Sequence, residues 1–265
     1  FDNYSTRFAP RDFDWRALGA VTDVKNQYAC GSDWAMAAVA DVEGARFLAT
    51  GQLDDLSVQQ LVACDPGNSG CQGGYTFRAF QYVEQFGGVV LDSDYGYKGI
   101  CTTDECDDVD HGTPVCEKQM VNEAMKRYES APVGGWQMVA MGAAYESDLM
   151  KLALLRNGPL AAVMNANGME HYIHGVVGCD ADGDCEAGNV DHHAMCDSAS
   201  LDHSALVVGY GKAEGMAYWI LKNSWGTEWG EDGFYRVQRG VNHCGIANFV
   251  THSLMKHRTR RGSNC

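Results

Sequence analysis

Hydrophobic and polar residues recur with helical spacing in the first part of the chain. The segment DWAMAAVADVEGARFLA, residues 33–49, predicts a helix, with Ser32 at its N-cap position. In LSVQQLVAC, Ser57 and Gln60 form the capping-box pattern that opens a short helix. An amphipathic segment from Tyr75 to Phe86 predicts a third helix.

After Gly134 the pattern changes to short apolar or alternating runs separated by glycines. The runs PLAAVMNA, SALVVGYG, MAYWILKN and GFYRVQ are typical of β-strands. A helical first half and a strand-rich second half predict an α+β protein with two packed lobes. We expect one folded unit with an N-terminal extension over 1–11, a mainly helical lobe over 12–130, a mainly β lobe over 131–252 and a basic tail over 253–265.

Charge and apolar run length limit the classes of partner. The 265 residues carry a formal net charge of -15 at pH 7, with acidic residues concentrated in 92–117 and 180–202. Nucleic acids and anionic membranes bind basic surfaces, so the sequence predicts neither as a partner. No apolar run reaches the ~20 residues of a transmembrane helix, and the sequence therefore predicts no membrane span.

The cysteine content indicates a redox compartment. Eleven cysteines are too many for an ordinary cytosolic protein of this size and predict several disulfides, hence a secreted or endolysosomal protein. The odd count leaves at least one thiol free or in an intermolecular disulfide, for which Cys265 is the first candidate. Asn3 opens an Asn-X-Ser sequon and is a glycosylation candidate.

Six sequence blocks between residues 12 and 249 resemble those of a known family. They are DFDWRALGAVTDVKNQ, CGSDWAM, GCQGGY, LDHSALVVGYG, YWILKNSWGTEWGEDGFYRV and NHCGIANF. Their kind and order are similar to those of papain-like cysteine peptidases, such as papain and the lysosomal cathepsins. The resemblance implies a two-lobe fold, with a helical left lobe, a β-barrel-like right lobe and the active-site cleft between them.

The resemblance also assigns chemical roles. In the family a cysteine thiolate attacks the peptide, and a helix N-terminus and an imidazolium keep that thiol ionised. By motif, Gln27 corresponds to the oxyanion donor and His203 to the imidazole. Asn223 corresponds to the residue that orients the imidazole, and Trp225 to the indole that shields both. The nucleophile position is occupied by Asp33.

Asp33 is compatible with two explanations. A carboxylate is stabilised at a helix N-terminus and could form an ion pair with a protonated His203, but it is a poor nucleophile towards an amide. The protein is then either a natural pseudopeptidase, which acts by binding or as a structural component, or an active endopeptidase represented as a nucleophile mutant. Tyr28, Met36 and Ala37 stand where the family usually has Gly, Phe and Ser, and these further departures favour natural inactivation.

The family's substrate cleft corresponds to further positions. By resemblance these are Gly73, Gly74, Tyr75, Thr76, Val163, Asp202, Ser204 and Phe249. Phe249 is bulky for the pocket that takes an apolar side chain, so the pocket is narrowed or filled; alternatively, Tyr75 and Phe249 pack in the core. Asp33 and His203 are farther apart in sequence than the family's ~130 to 150 residues, which indicates inserted chain. The expected occupant of the cleft is a peptide or a protein.

Family pairing implies three disulfides. They would join Cys30 to Cys71, Cys64 to Cys101 or Cys106, and Cys244 to Cys196 or Cys179. The remaining partners stay open, because sequence alone does not determine connectivity.

The acidic stretch that follows Cys179 raises a metal hypothesis. Asp180, Asp182 and Asp184 alternate as in a calcium loop, but Cys185 occupies the place where such a loop needs glycine. Zinc would have to use cysteines together with His171, His174, His192 and His193. A disulfide-closed acidic loop accounts for the pattern without an ion, so we predict no metal and no cofactor.

Overall fold

The computed structural model describes residues 9–99, 114–127, 132–146, 148–179, 196–213 and 215–256. The helices within these ranges are α1 (Asp33–Thr50), α2 (Val58–Cys64), α3 (Thr76–Phe86), α4 (Lys118–Arg127) and α5 (Leu149–Asn157). The strands are β1 (Phe13–Asp14), β2 (Val133–Ala140), β3 (Leu160–Met164), β4 (Val176–Val177), β5 (His203–Ala213), β6 (Met216–Lys222), β7 (Phe234–Gln238) and β8 (Phe249–Met255). The predicted α+β class is confirmed.

Helix α1 lies at the centre of the molecule. It packs against α2 and α3 on one side and against β3, β5 and β8 on the other, so it is buried all round from Trp34 to Arg46. It ends at Thr50, and the next residue, Gly51, has a left-handed conformation that lets its N–H donate to Phe47 O. Ser32 occupies the N-cap position, but its side chain does not cap the helix, because its hydroxyl bonds the Tyr97 hydroxyl at 2.7 Å.

The other two predicted helices form close to the expected bounds. Ser57 Oγ accepts from the N–H of Gln60 at 3.0 Å, which is the first half of the predicted capping box of α2. The reciprocal half is absent, because the Gln60 amide donates to Gly88 O and accepts from Val90 N–H. Helix α3 ends before Gly87, which is again left-handed.

The strands form one sheet in the order β2-β8-β3-β5-β6-β7-β4, and β1 pairs with β5. All pairs are antiparallel except β4 with β7. The register of β3 places Val163 between Ser204 of β5 and Phe249 of β8. Strand pairing thereby brings two distant sequence blocks to the same sheet position.

The two largest apolar clusters of the described residues fill most of the interior. One lies among the strands around Trp219, Tyr210 and Met164, and the other among the helices around Trp34 and Phe80. Each cluster also includes a residue from the opposite end of the sequence. Trp15, which follows β1, packs in the strand cluster, and Met255, at the end of β8, packs against the helical cluster. The predicted lobe boundaries at 130 and 252 stay predictions.

Two of the implied disulfides are confirmed. Cys30 pairs with Cys71 across 4.6 Å between Cα atoms, and Cys196 pairs with Cys244 across 5.1 Å. Cys179, the alternative partner of Cys244, is itself disulfide-bonded.

The third implied disulfide is wrong. Cys64 pairs with Cys116, not with Cys101 or Cys106. The reason is the docking of α4, which packs its apolar face on the cluster around Tyr95 and so places the preceding Cys116 beside the end of α2.

Several sequence predictions concern positions outside the described residues. These positions are Asn3, Cys101, Cys106, Asp180, Asp182, Asp184, Cys185, His192, His193 and Cys265. Among the residues that the structure describes, no helix is long and apolar enough to cross a membrane.

Candidate active site

Asp33 is the first residue of α1, and it lies where α1 meets β5. Its Oδ1 atom accepts a hydrogen bond of 2.9 Å from the backbone N–H of Ser204. A carboxylate in the first turn is also stabilised by the unpaired N–H groups of the helix. The ion pair considered between Asp33 and His203 is not among the salt bridges of the described residues, and the carboxylate accepts instead from the backbone of the residue after His203.

His203 and Asn223 form a buried pair. The ring Nε2 of His203 and Oδ1 of Asn223 are 2.7 Å apart, and the two residues are 5% and 3% exposed. Since the amide oxygen only accepts, Nε2 carries a proton in this arrangement. The Trp225 ring lies 5.1 Å from the imidazole, and Trp229 packs edge-on against Trp225 at 5.0 Å. The predicted shield is therefore in contact with the imidazole of His203, and Trp229 packs against the shielding ring.

Gln27 is held by partners that the sequence analysis did not identify. Its Nε2 donates to Cys30 O at 3.0 Å, and its Oε1 accepts from Ser224 Oγ at 2.5 Å. Tyr97 donates its hydroxyl to Gln27 O at 3.0 Å. The position of Ser224 between Asn223 and the shielding indole was the available signal for its role. Tyr97 lies in a stretch without regular periodicity, so no local pattern indicated it.

The loop before α1 approaches the double-glycine loop very closely. Gly31 N–H donates to Cys71 O at 3.0 Å, and a Cβ on Gly31 would lie only 2.8 Å from that oxygen. A Cβ on Gly74 would lie 2.7 Å from the Trp34 ring. Only glycine permits both approaches, and the Cys30–Cys71 disulfide fixes them covalently.

Tyr28 has an unusual backbone conformation. Its φ of 52° lies in the left-handed region, although it is a bulky residue, and its side chain is 62% exposed. Asn26 supports the turn by accepting from Tyr28 N–H at 2.8 Å. Glycine would adopt this conformation without strain, whereas a non-glycine residue is disfavoured by about 1 to 2 kcal/mol.

The cleft positions divide into exposed and buried groups. Tyr75 is 53% exposed, and from it a chain of ring contacts runs through Phe77 to Phe249, with centroids 5.6 and 5.9 Å apart. Trp136 packs on Phe77 at 5.4 Å. Tyr75 therefore lies at the surface rather than in the core, while Phe249 is half-buried at the inner end of this aromatic row.

Two predicted cleft residues, Thr76 and Asp202, make hydrogen bonds within the protein. Thr76 is fully buried, and its hydroxyl bonds that of Thr251 at 2.8 Å. Asp202 accepts from Asn165 Nδ2 at 3.1 Å and from the N–H of Ala166 at 2.8 Å. Thr76 is thus unavailable to a ligand, and the Asp202 carboxylate fixes the loop after β3.

Behind Asn223 lies a group of buried charges. Lys222 donates Nζ to Thr22 Oγ1 at 2.9 Å, and Thr22 donates in turn to Glu43 Oε2 at 2.5 Å. Burial lowers the pKa of Lys222 to about 8, and the charge of Glu43 opposes that shift. Lys25 Nζ lies 3.7 Å from Glu43 Oε1 and pairs with Asp55.

Metal-ligating residues within the described ranges converge at one place. Ligand atoms of Cys196, His243 and Cys244 lie within 4.8 Å of one another, but the two sulfurs are bonded to each other and are not thiolates. His171 and His174, considered for zinc, are both exposed, and His171 lies 3.7 Å from Glu170.

Comparison with known proteins identifies a family. The model of the papain family cysteine proteases matches residues 9–254. Cysteine proteinase 15A of Pisum sativum is 38% identical over 258 residues, which cover 91% of this chain and 61% of that protein. Cathepsin F of Mus musculus is 33% identical over 249 residues, or 93% of this chain and 46% of that protein. The chain therefore spans less than two thirds of the length of these relatives.

Solved structures agree with this result. Bromelain protease from Ananas comosus, in complex with the E64 inhibitor, superposes with a TM-score of 0.74 and 32% identity, over 94% of this chain and 100% of that chain. The proform of the ragweed pollen allergen Amb a 11, a cysteine protease, gives a TM-score of 0.77 and 32% identity, over 97% of this chain and 69% of that chain. The chain belongs to the papain family of cysteine proteases.

Proposed function

We propose that the protein is a pseudopeptidase that keeps the papain-family site in place but does not cleave peptides. The observation that carries the proposal is the Asp33 carboxylate at the N-terminus of α1, held by Ser204 N–H beside an intact His203–Asn223 pair. The roles of nucleophile position, imidazole and orienting amide belong to this proposal.

A carboxylate in this position has no efficient route to peptide hydrolysis. It is a weak nucleophile towards an amide, and its Oδ1 already accepts a hydrogen bond from a backbone N–H. General-base hydrolysis of the aspartic type uses two carboxylates that share one proton. No second carboxylate hydrogen-bonds Asp33 within the described part of the chain, and Asp202 bonds Asn165 instead.

The proposed activity is binding of an extended peptide or a protein segment in the cleft. Exposed Tyr75 and half-buried Phe77 and Phe249 offer a continuous aromatic surface for apolar side chains. Gln27 and His203 are preorganised by the contacts described above and would bind backbone polar groups, while Asn223 orients the imidazole. A structural role in an assembly is the other form that such an inactive protein could take.

The proposed location is the secretory or endolysosomal pathway. Disulfides at Cys30–Cys71, Cys64–Cys116 and Cys196–Cys244 require an oxidising compartment to form. Relatives named as cathepsins support the same placement.

A second candidate is an active cysteine endopeptidase in which Asp33 replaces a catalytic cysteine. The intact arrangement of Gln27, His203, Asn223 and Trp225 favours this alternative, since all the supporting groups are in place. The codon for position 33 in the natural gene decides between the two candidates.

Binding is tested by titrating the unaltered protein with a fluorescent peptide library that is unreactive towards thiols. We expect saturable binding that weakens on Tyr75→Ala and on Phe249→Ser, while Tyr145→Ala, an exposed aromatic elsewhere, has no effect. Binding that ignores both cleft substitutions would exclude the cleft as the binding surface.

A further inference from the structure

A small cavity lies directly behind Asn223, between α1 and strands β5 and β6. Its volume is about 20 Å³, and the side chains around it include Met36, Ala37, Ser204, Leu206 and Lys222. About 10 to 15 Å³ of such space is enough for one water molecule, provided that polar partners are present. The cavity is therefore large enough for a single small molecule and too small for a substrate side chain.

One polar atom beside this cavity has no partner. Asn223 lines the cavity and is 3% exposed, and its Nδ2 atom makes no hydrogen bond within the protein. Its other amide atom, Oδ1, bonds His203 Nε2 at 2.7 Å. A buried amide N–H without an acceptor is destabilising, and most such groups in folded proteins bond an ordered water when no protein atom is near.

The charges around the cavity favour a neutral occupant. Lys222 faces Glu43 through Thr22, so these two charges offset each other. Lys25, the other cation in the lining, forms a salt bridge with Asp55. With these charges offset, neither an anion nor a cation would meet an uncompensated charge of opposite sign in the lining.

We propose that this cavity is an internal site for one water molecule, which accepts a hydrogen bond from Asn223 Nδ2. Lys222, Glu43, Ser204 and Ser224 line the same cavity, so such a water has further polar residues around it to act as partners. This proposal is independent of whether the protein cleaves peptides.

The consequence concerns the orientation of the Asn223 amide. If the amide were rotated by half a turn, Nδ2 would face His203 and Oδ1 would take the present place of Nδ2, and the proton on His203 Nε2 would have no acceptor there. A water that accepts from Nδ2 stabilises the orientation in which Oδ1 faces the ring. Asn223 is then a positioning residue whose own position depends on the cavity water.

The direct test is a crystal structure of the full chain at a resolution that shows ordered water, with a second crystal soaked in bromide. We expect a peak within hydrogen-bonding distance of Asn223 Nδ2 and no bromide signal at that place. A dry cavity overturns the proposal, and so does an anomalous bromide peak, which would identify an anion site instead.

Two matched substitutions at Ala37 supply the second test. Ala37→Ser adds a hydroxyl to the cavity and can replace the water as acceptor, whereas Ala37→Val fills the same space with carbon. We expect Ala37→Ser to keep the melting temperature and the ¹⁵N tautomer signature of His203, and Ala37→Val to lower the first and change the second. An Ala37→Val variant with the parental melting temperature and parental His203 signals would contradict the proposal. This result would be decisive without the crystal structure.

Discussion

The backbone N–H of Ser204 donates to Asp33 Oδ1 at 2.9 Å, and this bond joins the first turn of α1 to the start of β5. It links the two sequence blocks that carry the nucleophile position and the imidazole. The Asp33 carboxylate is therefore a structural acceptor between the helix and the sheet. His203 is bonded to Asn223 and not to Asp33.

Replacing Asp33 measures the contribution of that bond. Asp33→Asn keeps the Oδ1 acceptor and removes the charge, so we expect a loss of about 0.3 to 1 kcal/mol in unfolding free energy from the helix N-terminus. Asp33→Ala also leaves Ser204 N–H unpaired, which costs about 1 kcal/mol more. Urea unfolding of the three proteins checks the order, and equal stability of the Asn and Ala variants would refute the structural role of the bond.

A second contact between α1 and the sheet is fully buried. Asp41 accepts from the N–H of Ser253 at 2.9 Å and lies 3.0 Å from His252 Nδ1, and neither Asp41 nor His252 is more than 3% exposed. Asp41→Ala would leave two buried donors without an acceptor, and we expect a loss of about 3 to 5 kcal/mol in unfolding free energy.

The control for Asp41 is Glu117→Ala, which breaks the exposed salt bridge with Lys98. Exposed pairs contribute about 0 to 1 kcal/mol, so this variant should unfold close to the parent in urea. A comparable loss of unfolding free energy in both variants would show that the buried Asp41–His252 contact stabilises the fold no more than an exposed salt bridge does.

Lys222 predicts a pH dependence of stability above neutral pH. Its pKa in the folded protein is lowered by burial from the ordinary 10.5 to about 8. Between these values the unfolded chain binds more protons than the folded one, so stability rises as pH increases through this window. Below pH 8 the folded protein holds Lys222 in its protonated form, and the full desolvation penalty of that buried ammonium group lowers the unfolding free energy.

Lys222→Met should remove that rise. The difference between the unfolding free energies of parent and variant, measured from pH 7.5 to 10.5, isolates this one group from the tyrosines that titrate nearby. A flat difference across the window would show that the lysine is not destabilised by burial.

The corrected disulfide is directly measurable. Proteolysis of the unreduced protein, followed by mass spectrometry, should release a cross-linked pair of peptides that contain Cys64 and Cys116. This link closes a loop between α2 and α4, and its removal by Cys116→Ser should cost about 4 kcal/mol. A cross-link from Cys64 to Cys101 or Cys106 would restore the pairing implied by family resemblance.

The elements with strong local patterns could be predicted from the sequence. Helix α1, the α2 start at Ser57 and helix α3 follow from periodicity and capping, and strands β3, β5, β6 and β7 follow from apolar runs between glycines. Helices α4 and α5 were missed, because α4 buries only Val121 and Ala124 and α5 only Met150 and Leu154. The pairing of β2 with β8 joins distant segments and has no local signal.

The site shows the same division. Resemblance located Gln27, His203 and Asn223, and the observed hydrogen bonds bring His203 and Asn223 together. The ion pair considered between Asp33 and His203 is not formed among the described residues; the carboxylate accepts instead from the backbone N–H of Ser204, whose position depends on the register of β5. Backbone donors of that kind cannot be read from side-chain identities.

Peptide turnover tests the central claim most directly. The measurement is hydrolysis of fluorogenic peptides, with labelling by an epoxide thiol reagent, for the unaltered protein, Asp33→Cys and the control Asp33→Cys with His203→Ala. We predict no turnover and no label at position 33 for the unaltered protein, turnover and labelling on Asp33→Cys, and turnover lost again in the control. Sustained hydrolysis by the unaltered protein, abolished by His203→Ala, would contradict the account.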